Sequence, residues 1–150
     1  MHSKIKMAII GAGTWGLNHA RIYEAHPFAE TVAICDTNLQ RARTAAQELN
    51  IPQVYQDFRE MLEKSGCDAV AIVTPDYLHA EIAIACAEAK KAMLIEKPLA
   101  TTQEDVTRMV DAIQKNHVRV MVDFHNRWSP PFHAAYLSAR SGELGELYSG

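Results

Sequence analysis

Short apolar runs, each separated from the next by a longer amphipathic stretch, recur along nearly the whole chain. A run without polar alternation can be a strand only where both faces of its sheet are covered, so the rhythm predicts βαβ units around a parallel sheet. Six strands are expected, at 5–10, 31–36, 53–55, 69–73, 92–95 and 118–123, with helices in the gaps. The fold class that follows is α/β: three layers, doubly wound, mostly parallel, helices on both faces. The helices announce themselves by period and by caps. Val106, Met109, Val110 and Ile113 make an i, i+3, i+4, i+7 stripe, and Thr101 with Glu104 reads as its capping box. Asp57 and Glu60 stand in the same relation before Met61 and Leu62. Ala42, Ala46 and Leu49 share a face of a helix that starts at Leu39 and ends near Asn50 and Pro52. At 150 residues the chain has room for one core, which at this size needs no staples.

The rhythm changes after Asp123. Pro130 and Pro131 forbid a strand and favour a helix start, giving a short helix over about 131–140. Gly142 to Gly145 and an apparent strand onset at Leu147 follow, with no partner for that strand. The expected organisation is a nucleotide-binding domain over 1–123 and, over 124–150, the opening of a truncated C-terminal substrate domain.

Charge and cysteine usage exclude several function classes. Fifteen Lys and Arg against eighteen Asp and Glu give a net charge of -3. No run of five like charges exists, so nothing marks a nucleic-acid or anionic membrane surface. Cys35, Cys67 and Cys86 are odd in number, widely spaced and set among apolar residues, which predicts buried thiols rather than a disulfide framework or zinc site; no metal is expected. With no signal-peptide pattern and no stretch of eighteen apolar residues, a soluble protein of the reducing cytoplasm is expected.

The chemistry begins at the end of the first strand. Gly11-Ala12-Gly13-Thr14-Trp15-Gly16 follows it directly and opens a helix, the setting in which GxGxxG has physical meaning. Gly11 permits the tight turn, Gly13 lets the backbone approach a pyrophosphate, and Gly16 lets the helix pack close to the sheet; the N–H groups of Gly13 through Trp15 face the phosphates. This identifies the fold as Rossmann-type. Asp36, twenty residues after Gly16, can accept the ribose hydroxyls of an adenosine and would repel a 2′-phosphate, so NAD is expected and NADP disfavoured. Asp36 can equally cap the next helix, as can Thr37 or Asn38. Arg41 either stacks on adenine or belongs to a solvated face.

Two further segments lie where parallel strands end and ligands bind: Thr74-Pro75-Asp76-Tyr77-Leu78-His79 and Glu96-Lys97-Pro98. His79 alone reads as a hydrogen-bonded helix residue. Lys97, held at the cleft mouth by a proline, is either a surface charge or a proton carrier beside a nicotinamide, a role that desolvation makes possible for a lysine.

Taken in order, GAGTWGxxH (Gly11 to His19), Cys35-Asp36, TPDYLH (Thr74 to His79), EKP (Glu96 to Pro98) and HNRWSP (His125 to Pro130) resemble the Gfo/Idh/MocA oxidoreductases, relatives of glucose-fructose oxidoreductase and inositol dehydrogenase. The resemblance implies that Glu96 contacts a cofactor ribose and that the catalytic Lys97 bridges nicotinamide ribose and substrate hydroxyl. It also implies a Lys97-Pro98 bond that can be cis, and Trp15, His79, Asn126 and Arg127 along the nicotinamide end. Members of that family have a second domain carrying substrate contacts, a DxxxH-type pair and the oligomer interface, so the parent protein is expected to be a homo-oligomer acting on a small polyol or sugar. The fragment alone is expected to bind NAD without turnover. A dinucleotide-sensing regulatory module and a methyltransferase are the rival readings; neither needs a lysine at the nicotinamide position.

Overall fold

A computed structural model describes residues 3–146 and 148. Six strands, β1 (Ile5–Ile10), β2 (Ala29–Cys35), β3 (Gln53–Tyr55), β4 (Ala69–Ile72), β5 (Ala92–Ile95) and β6 (Val120–Val122), form one sheet in the order β3-β2-β1-β4-β5-β6. Every pairing is parallel. Five helices alternate with the strands: α1 (Thr14–Ala25), α2 (Leu39–Leu49), α3 (Phe58–Lys64), α4 (His79–Glu88) and α5 (Gln103–Asn116). A sixth, α6 (Pro130–Ser141), follows β6.

The strand order fixes the layers. From β1 the chain steps outward through β2 to β3, then returns to β4 on the other side of β1 and steps outward again. Because such crossovers are right-handed, the two directions of travel place their helices on opposite faces. The core divides accordingly. Ile9, Ile34 and Ala71 pack with Ala20, Ala42, Ala45 and Ala46 of α1 and α2. Ala8, Ile10, Ala33 and Val70 point the other way, onto Met61, Ile82, Ala83 and Met109 of α3, α4 and α5. Neighbouring residues of β1 thus serve different cores, the alternation that a strand buried on both faces requires.

The six expected strands all exist, β1, β3 and β5 at the expected limits and β2, β4 and β6 with shifted ones. β2 starts at Ala29 because that residue pairs with Ile5. β6 is confined to three residues because β5 is its one neighbour in the sheet. The box expected at Thr101 and Glu104 is used one residue later: Thr102 Oγ1 accepts from the Asp105 N–H at 3.1 Å and donates to Asp105 Oδ2 at 2.8 Å. Both pairs satisfy the same Thr-x-x-acid pattern, so the pattern alone could not choose. Asp57 caps α3 as expected, accepting from the N–H of Arg59 and of Glu60. Within the α5 stripe, Met109 is fully buried while Val110 lies at the margin, 39% exposed. α6 buries none of its residues. The strand onset expected at Leu147 lies outside the described residues. Among those described, no helix is long and apolar enough to cross a membrane.

Two expected outcomes follow from this packing. A Cβ on Gly16 would stand 1.9 Å from the carbonyl oxygen of Gly11, a backbone atom that cannot step aside. Gly16→Ala should therefore cost about 3 kcal/mol or more, as severe overpacking does, read as a lowered denaturant midpoint. Cys35, Cys67 and Cys86 are free and buried. Burial, with the nearby charges of Asp57, Asp36 and Glu60, pushes the Cys35 thiol up to about 12, and burial pushes Cys86 up to about 12 as well. Native protein at pH 8 should resist iodoacetamide at all three positions over hours, and unfolded protein should take up three equivalents by mass spectrometry.

Candidate functional site

The order in which the chain adds strands reverses between β1 and β4, and the crevice beyond their carboxyl ends is where doubly wound sheets bind ligands. Here it is a cleft of about 610 Å³ bounded by Gly11, Gly13, Asp36, Thr37, Arg41, Gln56, Thr74 and Pro75, with Phe58, Tyr77 and Glu81 on its outer wall. Gly11 makes the turn from β1 with φ of +109°, and a Cβ there would meet Val73 O at 2.5 Å. Glycine at this position is required by the fold itself.

Gly13 is different. Its φ is -79°, which any residue adopts, and beyond its chain neighbours no heavy atom lies within 4 Å of where a Cβ would stand. Neither backbone nor packing demands a glycine, whereas a close-approaching ligand does. It caps α1 without any side-chain bond, and no acidic residue occupies the first turn. The positive end of the helix is thus open to an anion beside Thr14, Trp15 and Gly16. Thr74 Oγ1, at the cleft wall, is buried with no hydrogen-bond partner among the described residues. A small-residue cradle, an open helix start and a partnerless hydroxyl together fit a phosphate-bearing, hydroxyl-rich dinucleotide.

Asp36 stands just past β2, its N–H still donating to Tyr55 O. Its carboxylate is buried and fully engaged. Oδ2 accepts from the Ala12 N–H at 2.9 Å and from Arg41 Nε at 3.0 Å. Oδ1 accepts from the Asn38 N–H and from Arg41 Nη2, each at 2.8 Å. Burial works against its ionisation, but the Arg41 fork, the two backbone N–H groups and the Arg41 charge outweigh burial and hold the carboxyl below the usual aspartate range. The helix cap proper is Asn38, whose side chain accepts from the Arg41 N–H. Arg41 is thus clamped on Asp36, with half of its side chain exposed.

At the other end of the crevice, Glu96 follows β5 and is buried. Its Oε2 accepts from the Lys97 N–H at 3.1 Å, and its Oε1 lies 3.2 Å from His19 Nε2. Lys97 is exposed, and the Lys97-Pro98 bond is cis. His79 is buried, its Nδ1 and Nε2 each 3.0 Å from a carbonyl oxygen, that of Pro98 and that of Thr74. It holds the loops after β4 and β5 together and is not among the residues that line the cleft. The Trp15 and His125 rings stack at 5.9 Å, bringing the glycine loop against the turn that carries Asn126 and Arg127. Those two residues also border an open groove with Trp128, Phe132, His133 and Tyr136. Asp123 and Tyr23 carry no motif signal, and His19 none beyond its place in GAGTWGxxH. Each needs the packing of α1 against two strand ends to become visible.

Comparison with known proteins accords with this geometry. Residues 5–124 match the family described as Gfo/Idh/MocA, oxidoreductase family, NAD-binding Rossmann fold. The chain is 33% identical to D-apiose dehydrogenase of Paraburkholderia graminis over 98% of its own length and 39% of that protein's. It is 33% identical to the NAD(+)-dependent scyllo-inositol 2-dehydrogenase of Bacillus subtilis over 97% of its length and 43% of the relative's. The crystal structure of the WlbA dehydrogenase from Bordetella pertussis, in complex with NADH and UDP-GlcNAcA, superposes with a TM-score of 0.89 at 32% identity, covering 97% of this chain and 44% of that one. This chain therefore spans about two fifths of the length of these relatives. It belongs to the Gfo/Idh/MocA oxidoreductase family, of which it is an NAD-binding Rossmann domain.

Proposed function

We propose that this chain is the cofactor domain of an NAD-dependent dehydrogenase that oxidises a hydroxyl-bearing carbon of a sugar, cyclitol or related polyol. The observation that carries the reading is the cleft at the β1 and β4 ends, with the Gly13 cradle on one side and the Asp36 carboxylate on another. The names of the relatives, D-apiose dehydrogenase and scyllo-inositol 2-dehydrogenase, and the UDP-GlcNAcA bound in the WlbA crystal support the substrate class. Residues 1–123 are then the cofactor unit and 124–150 open the substrate domain, a division supported by the family match ending at residue 124 and by an α6 that buries nothing. The parent protein is a homo-oligomer of the cytoplasm on this reading; three free buried thiols suit a reducing compartment.

When bound, NAD supplies the acceptor for a hydride. The N–H groups at the start of α1 would hold the pyrophosphate, with Gly11, Gly13 and Gly16 giving the room. Asp36 would hold the adenosine ribose hydroxyls in competition with Arg41, since Ala12, Asn38 and Arg41 take all four acceptor positions of the carboxylate. Thr74 and Pro75 line the crevice floor. Glu96 retains an acceptor position on each oxygen for the second ribose, and Trp15, Asn126 and Arg127 close the nicotinamide end. Lys97 Nζ takes the proton of the substrate hydroxyl.

The Asp36 and Arg41 assignments separate by calorimetry with the two dinucleotides. Asp36→Ala should weaken NAD binding by about 1.5–3 kcal/mol per lost bond to the carboxylate and narrow its advantage over NADP. Arg41→Ala should leave NAD binding intact or tighter, because the competitor for Asp36 is gone, and weaken NADP further. Tighter binding of NADP than of NAD by the unmodified chain would overturn the cofactor assignment. In the full-length protein, Lys97→Ala should lower the rate of the chemical step by about 10²–10⁴-fold while the NADH dissociation constant changes little. Near-normal turnover would remove Lys97 from the mechanism.

A further inference from the structure

His19 sits on α1 less than two turns from the glycine loop, and its side chain is almost completely buried. Three polar groups surround its ring. Nε2 lies 3.2 Å from Glu96 Oε1 and 3.7 Å from Asp123 Oδ2, and Nδ1 lies 3.3 Å from the Tyr23 hydroxyl, one turn further along the same helix. Carboxylates only accept, so Nε2 carries the hydrogen and donates to Glu96. Burial first, then the charges of Asp123 and Glu96, keep the Tyr23 phenol protonated well above its ordinary range, which suits it to donate to Nδ1.

These contacts join α1 to the ends of two neighbouring strands. Glu96 follows β5 and its N–H donates to Ile72 O at the end of β4; Asp123 follows β6 and its N–H donates to Ile95 O at the end of β5. Through one imidazole, both strand ends are tied to the helix whose first turn carries the glycine loop. Glu96 in turn holds the Lys97 N–H through its second oxygen. Among the described residues no Lys or Arg side chain pairs with Glu96 or Asp123. An apolar residue at position 19 would pack α1 on the sheet with less desolvation. What it could not do is orient Glu96, and with it the peptide of Lys97, relative to the loop.

We propose that His19 is a positioning residue that acts through Glu96: it sets the nicotinamide end of the site, where Glu96 and Lys97 stand, in register with the phosphate loop. The proposal rests on the NAD reading above. Its test compares NADH, which reaches both ends of the crevice, with ADP, which ends at the diphosphate, by calorimetry on the chain. His19→Leu should weaken NADH by at least about tenfold, equivalent to about 1.4 kcal/mol, and leave ADP within about twofold. His19→Gln, whose amide nitrogen reaches as far as Nε2 and offers two N–H donors, should recover most of the NADH affinity. Unchanged NADH binding by His19→Leu overturns the proposal. So do equal losses of NADH and ADP, or a Gln variant as weak as the Leu variant, because either describes a helix that has merely lost its packing. Failure of the NAD reading itself would show separately, as an unmodified chain that binds neither nucleotide.

Discussion

The approach of α1 to the end of β1 is the contact on which the other features depend. Gly16 lies so close to the Gly11 carbonyl that no side chain fits between them, and Gly11 turns so tightly that its own Cβ would collide with the end of β4. Those two glycines bring the helix start over the crevice between β1 and β4 instead of beside it. The opening turn of α1 is then held at a ligand's height without any catalytic residue having to be placed there. A helix held half a diameter further out would keep its dipole but lose its reach.

From that anchored loop, two polar assemblies run in opposite directions. On one side, Ala12 donates its N–H to Asp36, so the loop and the end of β2 share one carboxylate. On the other side, His19 reaches the ends of β5 and β6, and His79 ties the loops after β4 and β5. The carboxyl edge of the sheet is therefore cross-linked by side chains where backbone pairing has stopped. Lys97, exposed beyond the end of β5, is anchored through its N–H on the Glu96 carboxylate. The contrast in burial is consistent with this division: Asp36, Glu96, His19 and His79 are buried, while Lys97 is exposed.

Much of this arrangement was legible in the residues, for physical reasons that also explain what was not. Runs such as Ile5 to Ile10 can be strands only if buried on both faces, so the layered sheet followed from pattern alone. Glycines 11, 13 and 16 had meaning because a strand preceded them and a helix followed. Local patterns decided less where they were degenerate, as at Thr101 and Thr102, which satisfy one rule one residue apart. Asp36 was visible as a carboxylate at a strand end, but its capture by Arg41 depends on a rotamer five residues away. The cluster of His19, Glu96 and Asp123 spans more than a hundred positions, and its members meet only because the strand order brings β5 and β6 beside β4. Side-chain pairing across that distance has no signature in any window of sequence.

The sheet ends on both sides in a strand of three residues, β3 at one edge and β6 at the other. A parallel sheet with two apolar faces is the kind of surface that recruits further strands, from a second copy or from an unfolding neighbour, in proportion to the length of backbone its rims leave unsatisfied. Here the longest strands, β1 and β2, are enclosed, and each rim offers a stub little more than one pleat long, too short to template a stable added strand. Short rims of this kind are one way a sheet with two apolar faces avoids edge-to-edge growth.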